Sequence, residues 1–299
     1  MYSIVMKFLK LVLILMLIGI LIIGCSRQEP ETIVVGSKDF TEQFILGNML
    51  AVLIESNTDF TVTFNDNMAS HVIFSAMGSG LVDVYIDYTG TVYGYYLNKS
   101  ESKDAQEVYD VTARELMERY NIKTLGKLGF NNTFNIAVRQ ETAAEFNLRT
   151  ISDLAEVSQY LIYGGSAEGQ SRNDGIPNLK RHYNMTFKDE LVYNEGDRYS
   201  AIYNDEVQVS EVYATDAQIL VYDLVVLEDD KHYYPPYHGV VIIRNEIAEK
   251  HPELVELLRK LEGLLTDDIM RGLNYKVDFL EENPRDVAES FLRENGLIR

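Results

Sequence analysis

Apolar strand patterns alternate with helical patterns twice along this chain, and this alternation constrains the fold more than any other feature of the sequence. The first block contains three strand patterns and two helical patterns in turn, at residues 31–35, 41–55, 60–64, 71–77 and 82–86. Strand, helix and strand in succession are typical of a parallel sheet covered by helices. The block therefore predicts an α/β unit built around one sheet.

A second block of the same kind follows a predicted surface helix at residues 105–120. Its strand and helical patterns lie in turn at 134–138, 150–157, 160–163, 176–183, 191–193, 199–204 and 207–213. No flexible linker separates the two blocks, which predicts two lobes joined by paired connections. We expect the C-terminal helices to return to the first lobe, so that residues 31–133 plus 238–299 form lobe 1 and residues 134–237 form lobe 2.

The loops that follow the predicted strands are where a binding site is expected. Ligands of open α/β sheets bind outside the carboxyl ends of the strands, and clefts between lobes are common places for pockets. The two-lobed arrangement therefore brings four loops near one another, at residues 36–38, 87–91, 164–172 and 213–216.

The N-terminus has the pattern of a bacterial export signal. Lys7 and Lys10 precede an apolar run at residues 11–23, which is shorter than the ~20 residues that a membrane-spanning helix needs. The run ends in LIIGC, and this sequence resembles the lipobox at which bacterial lipoproteins are cleaved and acylated. Cys25 is the only Cys of the chain, so it cannot form an intrachain disulfide.

We therefore predict that residues 1–24 are a lipoprotein signal peptide and that Cys25 carries the lipid. The mature protein would then be lipid-anchored at the extracytoplasmic face of the cell membrane. The alternative is an uncleaved membrane anchor with a chance Cys.

The charge of the chain excludes one large class of partners. Removing residues 1–24 takes away two lysines and no acid, so the formal charge of −19 for the whole chain becomes −21. Proteins that bind nucleic acids or anionic lipids by electrostatics carry basic faces. We therefore expect no nucleic-acid partner.

Seven short segments, spread over nearly the whole chain after residue 30, point to a known family. They are GSKDFTEQ at 36–43, DYTGT at 87–91, FNNTF at 130–134, RNDG at 172–175, YATDA at 213–217, LEDDK at 227–231 and PPY at 235–237. In this order they resemble the substrate-binding lipoproteins of the glycine betaine, carnitine and choline ABC transporter family. Each segment alone is a weak signal, whereas seven in family order are specific.

The resemblance implies the fold, the ligand class and the partners. The fold class would be α/β, the two-lobed periplasmic-binding-protein fold of type II, with the ligand in the interlobe cleft. The protein would capture a quaternary-ammonium compatible solute, such as glycine betaine, another betaine, carnitine or choline. It would deliver this solute to the permease of an ABC importer with its ATPase subunits, and it would use no cofactor and no metal.

The resemblance also implies the residues of the binding site. Four aromatic residues would form a cage for the cation: Tyr88, Phe134, Tyr213 and Tyr237. Three residues would hold the carboxylate of the ligand: Lys38, Thr91 and Arg172. Glu168 would line the same pocket.

Elementary chemistry favours such a site for this ligand class. A trimethylammonium group has no N–H, so hydrogen bonds cannot replace its hydration, whereas aromatic ring faces attract it. Each ring contributes ~0.5–1 kcal/mol when exposed and ~2 kcal/mol or more when desolvated. The carboxylate needs donors, and Lys and a bidentate Arg are suited to supply them.

Two positions depart from the family pattern. The family usually has Tyr where this chain has Phe134, and it more often has an aromatic residue where this chain has Gly169. A missing side chain at Gly169 predicts a larger pocket, which would admit a bulkier betaine such as a histidine betaine. Tyr199 is a further aromatic candidate, for which we expect a role in helix packing.

Two other functional classes need to be weighed. A ligand-sensing receptor of the same fold would share every feature after residue 24, with a membrane sensor in place of the permease. An enzyme is not expected, because the chain has no nucleophile elbow, no H-E-x-x-H, no P-loop and no G-x-G-x-x-G after a strand.

Overall fold

Two separate five-stranded sheets organise the chain, as the repeated alternation predicts. The computed structural model describes residues 2, 6, 31–99, 104–171, 175–194 and 197–299. The predicted lipidation site Cys25 and, apart from Tyr2 and Met6, the predicted signal peptide lie outside the described residues.

The described residues form ten strands, five in each sheet. They are β1 (Thr32–Lys38), β2 (Thr61–Met68), β3 (Val84–Tyr88), β4 (Ile122–Asn131), β5 (Phe134–Arg139), β6 (Ile162–Ser166), β7 (Asp189–Tyr193), β8 (Val209–Tyr213), β9 (Leu224–Val226) and β10 (His238–Arg244). The first sheet has the order β2-β1-β3-β10-β4, and the second has the order β7-β6-β8-β5-β9.

Both sheets are mixed. β1 pairs in parallel with β2 and β3, as the first sequence block predicts, whereas β10 is antiparallel to β3 and β4. In the second sheet β6 is parallel to β7 and β8, and β5 is antiparallel to β8 and β9. The antiparallel strands β5 and β10 are those by which the chain enters the second sheet and returns to the first.

Helices cover the faces of both sheets. They are α1 (Thr41–Asn57), α2 (Ser70–Gly78), α3 (Ala105–Tyr120), α4 (Gln140–Phe146), α5 (Ile151–Val157), α6 (Ala167–Ser171), α7 (Ile176–Tyr183), α8 (Asp197–Tyr203), α9 (Gln218–Val221), α10 (Asn245–Lys250), α11 (Pro252–Leu258), α12 (Asp267–Asp278) and α13 (Pro284–Glu294). A helical turn at Thr89–Thr91 runs into a π-helical segment at Val92–Tyr96 directly after β3.

Helix α1 lies at the centre of the first lobe. It packs against β1 and β2 on one side and against α11, α12 and α13 on the other, so that it is buried along most of its length. The core of this lobe therefore joins residues from both ends of the chain, such as Leu50 and Leu292. The second lobe has its own core around Ile136 and Tyr163. These two cores and two sheets confirm the two-lobed α/β fold.

The two C-terminal helices each begin at a residue whose side chain caps the helix. The side chain of Thr266 accepts a hydrogen bond from the backbone N–H of Ile269 at the start of α12. The side chain of Asn283 accepts one from Arg285, with Pro284 as the first residue of α13. Such caps satisfy N–H groups that have no partner within the helix.

Candidate ligand-binding site

A cavity of about 440 Å³ lies between the two sheets, at the ends of their strands. This volume is in the range of small-molecule sites, about 300–1,000 Å³. Among the described residues, seven from the first sheet and its connections line it: Lys38, Phe40, Ser70, Tyr88, Thr91, Asn132 and Tyr237. From the second, six residues line it: Phe134, Arg198, Tyr199, Tyr213, Asp216 and Gln218.

The structure brings together most of the residues predicted for the site. Six of them line this cavity: Lys38, Tyr88, Thr91, Phe134, Tyr213 and Tyr237. Arg172 lies outside the described residues, and so does the side chain of Glu168. The roles of all eight towards a ligand stay predictions.

Lys38 is the last residue of β1, and its ammonium group is already paired. Its Nζ lies 2.5 Å from Oδ1 of Asp87, and the two side chains are 2% and 0% exposed. The Asp87 carboxylate also accepts from the Tyr85 hydroxyl at 2.8 Å and from the Tyr88 backbone N–H at 2.8 Å. Lys38 is therefore a fixed, charge-balanced donor in the wall of the cavity and not a solvated side chain.

Tyr88, at the end of β3, is held by its hydroxyl group. The hydroxyl donates to Oε1 of Glu42 at 2.7 Å and accepts from Nε2 of Gln43 at 3.0 Å. Burial, and then the neighbouring charge of Glu42, raise the pKa of Tyr88 well above its usual value, so the phenol is neutral. Nζ of Lys38 lies 4.9 Å from the centre of the Tyr88 ring, and an internal cation thus already contacts this ring.

Phe134 and Tyr213 form the aromatic wall of the second lobe. They sit opposite each other on the antiparallel strands β5 and β8, and their ring centres are 4.5 Å apart. Such cross-strand aromatic pairs pack closely and hold each other's rings in place. The ring of Tyr234 lies behind them, stacked 6.5 Å from that of Phe134.

The position of Tyr237 explains the glycine of the DYTGT segment. A Cβ atom at Gly90 would lie 2.8 Å from the Tyr237 ring and 2.8 Å from the Pro236 carbonyl oxygen. The backbone of Tyr237 also donates to Oδ1 of Asn131 at 2.6 Å. Only a glycine at position 90 therefore lets the segment PPY pack against the turn that follows β3.

Arg198 is the main cavity residue that sequence reasoning missed. It lies in α8, is 2% exposed, and its Nε donates to the backbone oxygen of Glu211 at 3.1 Å. Its Nη2 is 3.7 Å from Oδ2 of Asp216, and its Cζ lies 4.7 Å and 5.8 Å from the ring centres of Tyr199 and Tyr213. The guanidinium group thus lies over two rings of the cavity, within cation–π distance of each.

Tyr199 belongs to the cavity as well as to helix packing. Its hydroxyl donates to the Asp216 carboxylate, and its ring stacks on that of Tyr222 with 6.5 Å between centres. The expectation of helix packing alone is therefore incomplete. Tyr199 and Arg198 lie inside helix α8 and not at the end of a strand, so their segment DRYS gave only a weak sequence signal.

The expectation that Gly169 enlarges the pocket is wrong. A Cβ atom at this position would lie 1.9 Å from Oε2 of Glu211, so the Glu211 carboxylate fills the space that a side chain would take. Glu211 is itself buried and accepts from the Tyr163 hydroxyl at 2.9 Å and from the backbone N–H of Ser166 at 2.7 Å. Gly169 accommodates this buried carboxylate and is not among the residues that line the cavity.

Comparison with known proteins decides the family. The protein-family model described as "Substrate binding domain of ABC-type glycine betaine transport system" matches residues 31–294. The chain belongs to this family.

Individual members agree with this family assignment. The chain is 33% identical over 299 residues to the carnitine transport binding protein of Listeria monocytogenes serotype 1/2a, with 97% of each chain covered. It is 34% identical over 271 residues to an ergothioneine transport permease/ergothioneine binding protein of Helicobacter pylori. That match covers 90% of this chain and 48% of the relative, so the chain spans about half of that protein's length.

A solved structure extends the agreement to the fold. A crystal structure of a glycine betaine/carnitine/choline ABC transporter protein has a TM-score of 0.85 and 30% identity, covering 89% of this chain and 99% of the other. As a member of the family, this chain is a substrate-binding protein of ABC transport and not an enzyme. Its two-lobed fold is that of the binding proteins of this family.

Two further observations concern the described part of the chain. None of its helices is long and apolar enough to cross a membrane. It contains no group of three or more His, Cys, Asp or Glu placed to hold a metal ion.

Proposed function

We propose that this binding protein captures a zwitterionic betaine, with the trimethylammonium group in an aromatic cage, and delivers it to the permease of an ABC importer. One observation carries the proposal: within the described part of the chain, six aromatic rings and two buried basic side chains line the same cavity. The rings are those of Phe40, Tyr88, Phe134, Tyr199, Tyr213 and Tyr237.

The rings suit the cationic end of the ligand. A trimethylammonium group gains little from hydrogen-bonding residues, but each desolvated ring face contributes ~2 kcal/mol or more. Tyr213 and Phe134 face the cavity from the second lobe, and Tyr88 and Tyr237 face it from the first. Rings from both lobes would therefore contact the cation together, and binding would favour the closed arrangement of the lobes.

The basic residues suit the carboxylate end. Arg198 offers a planar group with several donors, and Lys38 offers a fixed ammonium group. Each already has an acidic neighbour, Asp216 and Asp87 respectively, so the described charges of the cavity nearly balance. A zwitterion adds no net charge to such a site, whereas choline would bring a cation without a carboxylate. Betaines are therefore expected to bind more tightly than choline.

Relatives of this chain are named for solutes that share this chemistry. Glycine betaine, carnitine and ergothioneine, which appear in these names, all combine a trimethylammonium group with a carboxylate. Because the space beside Gly169 is filled by Glu211, that glycine does not favour the bulkier members of the class. Arg172 and Thr91 stay in the proposal as further contacts of the carboxylate end, and Glu168 stays as a residue that lines the same pocket.

Replacing Arg198 by Met tests the carboxylate assignment. We expect glycine betaine affinity to fall by about 10- to 150-fold, because a hydrogen bond to a charged group contributes about 1.5–3 kcal/mol. Choline affinity should fall much less. Arg198→Lys keeps the charge but loses the planar fork, and should give an intermediate loss for betaines.

Titration calorimetry with both ligands, and a melting curve of each variant, would measure these effects. Arg285→Met is the control, because Arg285 is 44% exposed and pairs with Glu55 away from the cavity. An equal loss for choline and glycine betaine would remove Arg198 from the carboxylate site.

We also propose that the mature protein is anchored by a lipid on Cys25 at the extracytoplasmic face of the membrane. Replacing Cys25 by Ala should abolish the incorporation of radiolabelled palmitate into the protein in expressing cells, because the residue that carries the lipid is lost. Ser26→Ala is the matched control, because it changes the neighbouring residue and leaves the Cys in place. A Cys25→Ala protein that still incorporates palmitate would contradict a lipid anchor at this residue.

A further inference from the structure

A buried carboxylate lies behind the cavity, at the junction of the two lobes. Glu42 is in the first turn of α1 and is 3% exposed. Within the described part of the chain, no Lys, Arg or His forms an ion pair with it. Burial raises the pKa of its carboxyl group, and four side-chain hydrogen bonds offset part of this effect. A buried carboxylate without a basic partner is costly unless donors surround it.

The donors come from four separate segments of the chain. Oε1 accepts from the hydroxyl of Tyr88 at 2.7 Å and from Nδ2 of Asn132 at 3.0 Å. Oε2 accepts from Nδ2 of Asn274 at 3.3 Å, and the side chain of Thr215 also bonds to the carboxylate. One carboxylate thus joins the end of β3, the crossover from β4 to β5, the loop after β8 and helix α12.

These segments form both walls of the cavity. Tyr88 and Asn132 line it directly, and Thr215 lies between the lining residues Tyr213 and Asp216. Nδ2 of Asn274 also donates to the backbone oxygen of Thr215 at 2.9 Å. The position of the loop at 213–217 relative to Tyr88 therefore depends on contacts that converge on Glu42.

A second contact from α12 supports the same loop. Nε of Arg271 donates to the backbone oxygen of Ala214 at 2.6 Å. The amide oxygens of Asn132 and Asn274 are both buried without a hydrogen-bond partner among the described residues. Both amides thus direct their NH₂ groups towards Glu42 while their own oxygens stay unsatisfied. An unsatisfied buried oxygen costs free energy, so the hydrogen bonds that these amides donate to the carboxylate must offset that cost.

From this convergence we infer that Glu42 is a positioning residue. It sets the distance between the rings of Tyr88 and Tyr237 in the first lobe and those of Phe134 and Tyr213 in the second, and thereby the affinity for the ligand. Its effect on affinity rests on the function proposed above, whereas its effect on the loop at 213–217 does not. A glutamine cannot replace it, because its NH₂ group would face one of the four donors.

Three variants test the inference. Glu42→Gln keeps the size of the side chain and loses its charge and half of its acceptors. Asn274→Ala removes a donor that is not among the residues lining the cavity. Glu55→Gln is the matched control, because Glu55 lies in the same helix and its partner Arg285 is 44% exposed.

Two measurements apply to each variant. Hydrogen exchange of the ligand-free protein reports the exchange rates of the backbone amides at 131–133 and 213–217. Titration calorimetry with glycine betaine, carnitine and ergothioneine reports affinity. We expect faster exchange in both segments and a 2- to 30-fold loss of affinity in Glu42→Gln and Asn274→Ala, with neither effect in Glu55→Gln. The variant that combines Glu42→Gln with Asn274→Ala should lose less binding free energy than the sum of the losses in the two single variants, because both substitutions act through one network.

Exchange at 131–133 and 213–217 that is unchanged in both variants would overturn the inference, whatever the ligand. Unchanged affinity in both variants of a protein that binds a betaine would also overturn it. A wild-type protein that binds none of the three betaines would instead refute the proposed function, and the exchange measurement would then decide on Glu42 alone.

Discussion

Replacing Lys38 by Met is expected to lower the free energy of unfolding by about 3–5 kcal/mol, because it leaves a buried carboxylate without its counter-charge. The partner, Asp87, is completely buried, and its Oδ1 lies 2.5 Å from the ammonium group. Urea unfolding of the ligand-free protein would measure the loss, with the slope of the transition checked for two-state behaviour.

A second substitution, at Asp87, separates the effect of the lost counter-charge from the effect of the changed side-chain shape. Lys38→Met combined with Asp87→Asn removes both charges, and most of the lost stability should return. Lys250→Met is the control at an exposed pair, because Lys250 is 60% exposed and its partner Glu31 is 36% exposed. A single Lys38→Met variant as stable as Lys250→Met would contradict the buried pair.

The double variant also tests Lys38 as a ligand contact. It should fold and keep the aromatic walls, so any loss of glycine betaine affinity would come from the missing donor. Unchanged affinity in this variant would leave Arg198 and Arg172 as the proposed carboxylate contacts and would limit Lys38 to a structural role.

Tyr213→Ala and Tyr237→Ala are each expected to weaken betaine binding by about 1–2 kcal/mol, or ~5- to 30-fold, because each removes one ring face from the cation. Titration calorimetry would measure the affinities. The two rings come from different lobes, so both losses are needed to show that the cation is held between them.

Two variants serve as controls for the cage. Phe134→Tyr should be tolerated, because it keeps the ring that packs 4.5 Å from Tyr213. Tyr203→Ala removes a ring that is 59% exposed and does not line the cavity, and it should leave affinity unchanged. Normal affinity in both Tyr213→Ala and Tyr237→Ala would remove the aromatic cage from this account.

The two-lobed fold was predictable because strand and helix periods alternate clearly in both halves of the chain. Strand β4 was not predicted, and its irregular pairing explains why. Its first three buried residues, Ile122, Leu125 and Leu128, are spaced by three, because its pairing with β10 is interrupted by two shifts of register. A strand with such bulges loses the period of two by which strands are recognised.

The candidate site was predictable where its residues lie in segments that follow strands. Lys38, Tyr88 and Tyr213 each end a strand, and the cavity forms where those strand ends meet. Arg198 was missed because a buried Arg has the same sequence appearance as a surface Arg. Its burial depends on the rings of Tyr199 and Tyr213, which only the tertiary structure brings to it.

The role inferred for Glu42 was equally invisible in the sequence. The residue lies inside the segment GSKDFTEQ, but its four donors lie between 46 and 232 positions further along the chain. At Gly169 the sequence led to a wrong expectation, because the lack of a side chain suggested free space. The space is occupied by Glu211, which is 42 positions away in the sequence. Contacts between such distant positions cannot be predicted from local pattern.

Calorimetric titration of the protein without residues 1–25 tests the central claim most directly. Glycine betaine, carnitine, ergothioneine and choline would be titrated in parallel into protein shown to be folded. We expect saturable one-to-one binding of at least one betaine, at an affinity higher than that for choline. Folded protein that binds none of the four would contradict the betaine-binding site, and choline bound more tightly than every betaine would contradict the role of the buried basic residues.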